Sequence, residues 1–286
     1  MPTGVRLMVV RPHPDDEASA TGGLLARYGA LGVSTAVVTC TGGEEGEVLD
    51  PDLDPEEAKP RLREIREAEL REACRILNVA EVRLLGYRDS GMEGWEANNH
   101  PDAFCNADLD EAAGRLVRVI RELQPQVVVT EPNRSGYGHP DHVKCYPVTE
   151  RAFFAAGDPA QYPDAGLPWS PARLYSIASV RSNWNKIARM LIEAGFEESW
   201  LTRRRRYNRR WGIAKKDATA AIDVSPYVEI QRQALAAHRS QIEPGSWWLK
   251  MPLDVRRVAF GTAYFVRVHP APAPGEKDAD LFAGLD

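Results

Sequence analysis

At two places in the chain a His-Pro-Asp triplet comes just past a predicted strand. "RPHPDDEAS" supplies His13, Asp15, Asp16 and Glu17, and "GYGHPDHVKC" supplies Tyr137, His139, Asp141 and His142. Three adjacent acids repel one another and resist burial unless something positive sits among them. Imidazoles mixed with carboxylates are the donor set that suits zinc. His13 and Asp16 are three residues apart across a turn into a helix, so both can reach one ion. His142 is the best candidate for the third ligand. Two His and one carboxylate with an open fourth position is a catalytic arrangement. Asp15, beside the ligands, is then the general base for an attacking water. His139 faces the substrate oxygen and, as an imidazolium, stabilises the oxyanion or protonates the leaving group. Asp141 orients His139 and raises its pKa. Tyr137 brings a phenol to the same rim, and Glu17 caps or holds the loop. Either stretch alone reads as well as a helix cap or a helix surface. It is the pair, each just past a strand, that points to a metal.

The elements that must position these residues alternate. "VRLMVV" is a near-continuous apolar run, as in a strand covered on both faces. A helix over Ala18–Leu31 follows, then a strand ending near Cys40, a Gly- and acid-rich loop, and an amphipathic helix over Arg61–Leu77. "EVRLLGY" is a third strand. A long loop spans 88–106, a helix carries Ala112, Leu116, Ile120 and Leu123, and "QVVVT" is a fourth strand. This order predicts an α/β fold: a Rossmann-like, mostly parallel sheet with helices on both faces and the metal site at the carboxyl ends of the strands. Residues 1–170 read as this catalytic core. Residues 171–286 read as a smaller α+β addition that completes the fold and covers the substrate pocket. It holds a strand in "ARLYSIASV", a helix in "YVEIQRQALAAHRSQI", a late strand in "AFGTAYFVRV" and a Pro-rich tail that wraps the surface or moves.

Bulk properties exclude several classes. The 286 residues are 43% apolar and 27% charged, which argues against wholesale disorder. A net charge of -5 gives no reason to expect a nucleic-acid partner, and "RRRRYNRRW" (Arg203–Arg210 with Trp211) reads as a basic surface loop. No apolar stretch reaches membrane-spanning length, and the N-terminus lacks the features of a signal peptide. The expectation is a cytoplasmic protein with a small-molecule partner; the oligomeric state is open. The four cysteines form no C-x-x-C pair and read as buried or free thiols, Cys145 included. "TGGEEGE" lacks the Lys-Ser/Thr ending of a phosphate loop. His238 lines the pocket or is a core or cap histidine, and Trp247 and Trp248 close a pocket or simply pack.

The sequence resembles the PIG-L/LmbE-type zinc-dependent de-N-acetylases, in "PHPDDE" and "GHPDHV" for the metal motifs. "TCTGGEEGEV", "LGYRDSGM", "RVIRELQPQVVVT", "YPDAGLPW", "ALAAHRSQI" and "LFAGLD" resemble the mycothiol branch of that family, and the likeness covers most of the chain. The branch contains an N-acetylglucosaminyl-inositol deacetylase and a mycothiol S-conjugate amidase. The resemblance implies hydrolysis of the N-acyl amide of a glucosaminide, with one zinc per chain (ferrous iron the alternative). His13, Asp16 and His142 would be ligands, Asp15 the base, and His139 the stabiliser, oriented by Asp141 and assisted by Tyr137. Arg66 and Asp89 would grip the sugar and inositol hydroxyls; the plainer reading of Arg66 is a solvated helix charge. Chain length, "YPDAGLPW" and the ending resemble the amidase, which is placed first. "GYGHPDHV" and "RDSGM" resemble the deacetylase, the alternative along with other N-acetylglucosaminides. Two departures stand out: Arg11 and Pro12 replace the usual His-Ala, and Ala20 stands where the amidase branch more often has lysine. A non-catalytic sugar- or nucleic-acid-binding module is the reading of another class. The intact Asp15 and His139 speak against it, because binding needs neither.

Overall fold

A computed structural model describes residues 6–133, 138–180, 184–196 and 212–285. One seven-stranded sheet organises them, built from β1 (Leu7–Arg11), β2 (Thr35–Thr41), β3 (Glu81–Tyr87), β4 (Val127–Thr130), β5 (Arg173–Ala178), β6 (Ala220–Asp223) and β7 (Thr262–His269). The strand order is β3-β2-β1-β4-β5-β7-β6. The first five strands in that order run parallel, and β7 is antiparallel to both β5 and β6. The segment after residue 170 thus extends the same sheet.

Every residue of β1 is buried, and its alternation serves two cores. Met8 and Val10 point to one face with α3 (Leu109–Leu123) and α4 (Pro140–Ala155), through Leu116, Ile120, Val148 and Ala152. Leu7 and Val9 point to the other face with α1 (Asp16–Ala30), α2 (Leu62–Ile76) and α6 (Val228–Ala237), through Leu24, Tyr28, Leu70, Ala73 and Leu235. Between α4 and α6 lies α5 (Trp184–Glu193), which packs with α7 (Leu253–Phe260) around a smaller cluster of Ile187, Leu191, Met251 and Val255.

Chain order reverses between β1 and β4, which are neighbours in the sheet. At such a switch point the crossover helices leave on opposite faces and a crevice opens at the carboxyl ends. The His-Pro-Asp triplets that begin at His13 and His139 follow these two strands. The Pro-rich tail is docked: Arg267 pairs with Asp278 at 2.8 Å, Leu281 is fully buried, and Phe282 packs edge-on against Tyr28. Among the described residues no helix is long and apolar enough to cross a membrane.

Candidate metal centre and active site

The turn out of β1 places three side chains in three directions. Asp15 has a left-handed backbone with φ 105°, a costly conformation for a residue with a Cβ. Its neighbours hold it there. The Asp15 N–H donates to Glu17 Oε2 at 2.9 Å, and Glu17 is itself fixed by buried His238, whose Nε2 lies 2.7 Å from Glu17 Oε1. Arg66 donates to the Pro14 carbonyl and, at 3.0 Å, to Asp15 Oδ2. It also reaches the Gly43 carbonyl at 2.7 Å, close enough that a Cβ on Gly43 (φ 72°) would strike its guanidinium. Asp16 opens α1, where an acid suits the helix dipole, and turns its carboxylate back toward His13.

After β4 the chain enters α4. His139 is the N-cap: its Nδ1 accepts the Asp141 backbone N–H at 3.3 Å, and Pro140 fills the first helical position. His142, one turn in, faces back to β1. Three donor atoms converge there: His13 Nδ1 lies 3.4 Å from Asp16 Oδ2, and His142 Nε2 lies 3.6 Å from the same oxygen. The three residues form a buried group able to hold a metal ion.

The outer atom of each is tied down. His13 Nε2 meets Asp141 Oδ2 at 3.1 Å, His142 Nδ1 meets Glu131 Oε2 at 3.1 Å, and Asp16 Oδ1 accepts from Arg11 at 3.2 Å. Fixing the outer nitrogen sets the tautomer and turns the inner lone pair into the site. Two imidazole lone pairs and a carboxylate oxygen then face one another, which a cation resolves. The electrostatics ask for the same thing. Burial alone would lower His13, yet Asp89, Asp141 and Asp16 outweigh it and raise it well above the ordinary imidazole value. Burial would raise Asp16, but His142, Arg11 and His13 hold it well below the usual carboxylate range. The residues therefore fit a divalent cation such as zinc.

A second buried group, His13, Asp89, His139 and Asp141, also has metal-ligand geometry. Its oxygens are occupied within the protein: Asp141 accepts from Ser90 N at 3.0 Å and from Ser90 Oγ, and Asp89 Oδ1 accepts from Gly91 N at 2.9 Å. It supports the first group.

For three residues the structure shows contacts that the sequence does not give. The Asp141 carboxylate orients His13, and only its backbone N–H touches His139; the carboxylate oxygen stays 4.0 Å from His139 Nδ1. The His139 pKa is lowered to about 4, first by burial and then by the nearby His13 charge. With Nδ1 facing the Asp141 N–H, Nε2 is the His139 nitrogen turned toward Asp89 Oδ1, at 3.6 Å. Arg66 is 3% exposed and not a solvated charge: it clamps the Asp15 loop and also lines the crevice. Asp89 sits over both His13 and His139, held well below its normal pKa; burial opposes that shift and His13 drives it. Tyr137 and the Arg203–Arg210 cluster lie outside the described residues. Cys145 turns its thiol to Val10 O and the Cys40 thiol and forms no disulfide.

Sequence reasoning did not single out Glu131 or Ser90. Glu131 was findable, because an acid directly after the buried strand "VVVT" poses the same charge problem as Asp15. Arg11 answers part of it, pairing with both Glu131 and Asp16. Glu131→Gln is expected to weaken metal affinity by about 10–100-fold while the fold is kept, since a His142 partner of lower basicity orients the ring less firmly. Competition with a chromophoric chelator measures this. Unchanged affinity would mean that Glu131 serves only to neutralise Arg11.

Two cavities meet at the ligands. One, of about 340 Å³, is polar and is lined by Arg66, Asp89, Glu47, Gln241, His139 and half-exposed Trp95. The other, of about 560 Å³, lies on the β5–β7 side. Asp15, Asp16 and His142 line both.

The family model described as PIG-L, GlcNAc-PI de-N-acetylase, matches residues 8–153. A Catenulispora acidiphila protein named 1D-myo-inositol 2-acetamido-2-deoxy-alpha-D-glucopyranoside deacetylase 1 is 40% identical to the chain, covering 98% of it and 89% of the relative. The Geodermatophilus obscurus protein of that name, without the final number, is 40% identical over 98% of each. Among solved structures, the N,N'-diacetylchitobiose deacetylase from Pyrococcus horikoshii superposes with a TM-score of 0.62 at 19% identity, covering 99% of this chain and 87% of its own. The 4-carboxy-2-hydroxymuconate hydratase GalB from Pseudomonas putida gives 0.63 at 17%, covering 96% and 100%. At such identities these two show the shared fold alone.

Proposed function

The chain belongs to the PIG-L family, and from that premise we propose that it is a zinc-dependent hydrolase that removes the N-acetyl group from 1D-myo-inositol 2-acetamido-2-deoxy-α-D-glucopyranoside. The observation that carries this reading is the convergence of His13, Asp16 and His142 at the floor of a polar crevice. A glycoside rich in hydroxyls needs polar partners when it leaves water, and Asp89, Glu47 and Gln241 offer acceptors and a donor there. Trp95 presents an aromatic face at the rim, a platform for the apolar side of a sugar ring.

Zinc held by His13, Asp16 and His142 would polarise the amide carbonyl and acidify the attacking water. The protein's own groups do the rest. Asp15 takes the proton of the water and returns it to the departing nitrogen. His139 donates its Nε2 proton in a hydrogen bond to the oxygen that gains charge. Tyr137, two residues before His139 in the sequence, is proposed to assist. Asp141, Glu131 and Arg11 orient the ligands, and Arg66, Glu17 and His238 hold Asp15 in place.

The amidase activity placed first from the sequence becomes the second reading. The stretches that favoured it are structural: "YPDAGLPW" packs on α3, where Arg121 donates to the Tyr162 carbonyl at 2.7 Å, and Leu281 is docked at the sheet. Neither lines the crevice. The zinc-loaded protein is expected to show at least about tenfold higher kcat/KM on N-acetylglucosaminyl-inositol than on a thiol-capped mycothiol, the size of step a mismatched pocket gives. The reverse order would make it an amidase. Inactivity on both, with turnover of another N-acetylated sugar, would detach it from inositol glycosides.

A further inference from the structure

We infer that Trp95 selects the aglycone: its indole face stacks on the cyclitol ring of the glycoside, so that a glucosaminide carrying a six-membered carbocycle is preferred over one carrying a small aglycone. The inference rests on the deacetylase reading above and narrows the aromatic platform of the crevice to one ring of the substrate.

Trp95 stands on the long loop after β3, and that loop is pinned. Asn98, in the single 3-10 turn Glu96–Asn99, accepts from Gly94 N at 2.8 Å and donates to the Ser90 and Met92 carbonyls. The Trp95 N–H donates to Met92 O at 3.0 Å, and the Trp95 carbonyl accepts from Asn98 N at 3.0 Å. Gly91, with φ 66°, lies so close to the indole that a Cβ there would come within 2.8 Å of the ring. The same loop is tied to a metal ligand: Ser90 donates to Asp141, and Asp141 meets His13. The indole is thereby held in place relative to the ligands, and a pre-positioned flat ring loses little freedom on binding.

The rest of the crevice is polar. Among its described lining residues, Met92 and Trp95 are the large apolar side chains. His13, His139 and His142 are buried at its floor, whereas Trp95 is 47% exposed at the rim. An indole half in water gains from an apolar face laid on it. The two rings of the substrate differ in the faces they offer. In an α-glucosaminide the axial glycosidic oxygen interrupts the face that carries the axial hydrogens of C3 and C5. The other face has only those of C2 and C4, beside the acetamido group that must reach the ligands. In myo-inositol the axial hydrogens of C1, C3 and C5 share one face with no axial oxygen among them. The cyclitol therefore has the wider apolar face, and the sugar hydroxyls suit Asp89, Glu47 and Gln241 deeper in.

The neighbours of Trp95 leave room for that second ring, because Glu93, Gly94 and Glu96 are all exposed. A stack of this kind acts on binding, so its loss falls on KM more than on kcat, and one aromatic face is expected to contribute about tenfold in kcat/KM. An outer ring stripped of its hydroxyls keeps its apolar face, which separates stacking from hydrogen bonding.

The test compares three N-acetyl-α-D-glucosaminides on the zinc-loaded protein: the inositol, the cyclohexyl and the methyl glycoside. In the wild type kcat/KM should be about tenfold higher for the cyclohexyl than for the methyl glycoside, and higher again for the inositol glycoside. Trp95→Ala should remove the cyclohexyl advantage and cut the inositol-to-methyl ratio about tenfold, through KM and with zinc content unchanged. Trp95→Phe keeps a flat ring and should restore most of both ratios. In parallel, glucosaminyl-inositol should shift the tryptophan emission of the wild type, and the shift should be lost in Trp95→Phe. Equal losses on all three glycosides would mean that Trp95 supports the sugar or the loop, and ratios unchanged in Trp95→Ala would mean that it only faces solvent; either overturns the inference while leaving the deacetylase intact. Absence of turnover on all three overturns the deacetylase reading instead. The emission titration then decides the platform by itself: no shift, or a shift kept in Trp95→Phe, overturns it.

Discussion

His142→Ala is expected to abolish metal retention and with it activity, by about 10⁴-fold or more. Three donor atoms face the centre, and two remaining ligands hold zinc poorly. The loss should be specific to the site. Removing the imidazole leaves Glu131 still paired with Arg11, so no buried acid is stranded, and the fold should survive. His13→Ala should behave alike, since Asp141 keeps both Ser90 hydrogen bonds. In the wild type, a chelator should reproduce the loss and added zinc reverse it. Metal should also raise the melting temperature, because it binds the folded chain and neutralises a cluster of acids there. Elemental analysis of the purified variants alongside circular dichroism checks all of this. Full zinc occupancy in His142→Ala would show that the ligand set is wrong.

The candidate metal centre is legible in the sequence because its donors are concentrated in two short, local stretches, 13–17 and 139–142. The parallel sheet is legible for a similar reason: "VRLMVV", "EVRLLGY" and "QVVVT" are apolar runs between helical patterns, and the strands fall on them. What was hidden is what depends on distant pairing. His238 and Glu17 are 221 residues apart and meet only in the folded chain. Asp141 looks like a partner for its neighbour His139, but α4 turns its side chain under His13 instead. α4 itself escapes periodicity, because its buried residues mix the polar Asp141, His142 and Thr149 with the core residues Cys145, Val148 and Ala152. β6 is four residues, "AAID", and its strand character comes from pairing with β7. Arg66 was read as a binding residue or a solvated charge; the contacts that make it a clamp come from Pro14, Asp15 and Gly43, all distant in the chain.

The second large effect belongs to Asp15. Asp15→Asn should lose on the order of 10²–10⁴ in kcat while keeping metal, fold and substrate affinity. The choice of asparagine matters. Position 15 holds a left-handed backbone, and asparagine is among the residues that tolerate it, so the turn that aims His13 and Asp16 is preserved. The amide oxygen can still accept from Arg66, which keeps the loop clamped. Only the capacity to take a proton is removed. Burial drives the Asp15 pKa up to about 6 against the pull of Arg66. A cation held by Asp16 would draw it back down and keep the wild-type carboxylate ionised at neutral pH. Asp15→Ala is the informative contrast: it removes the base and strains the turn together, so it should lose metal as well as turnover. Asp15→Gly should restore the metal but not the rate, because glycine relieves the strain without supplying a base. Stopped-assay kinetics with metal analysis on the three variants separates the roles. Near-normal kcat in metal-loaded Asp15→Asn would move the proton transfer elsewhere, with His139 the first group to examine.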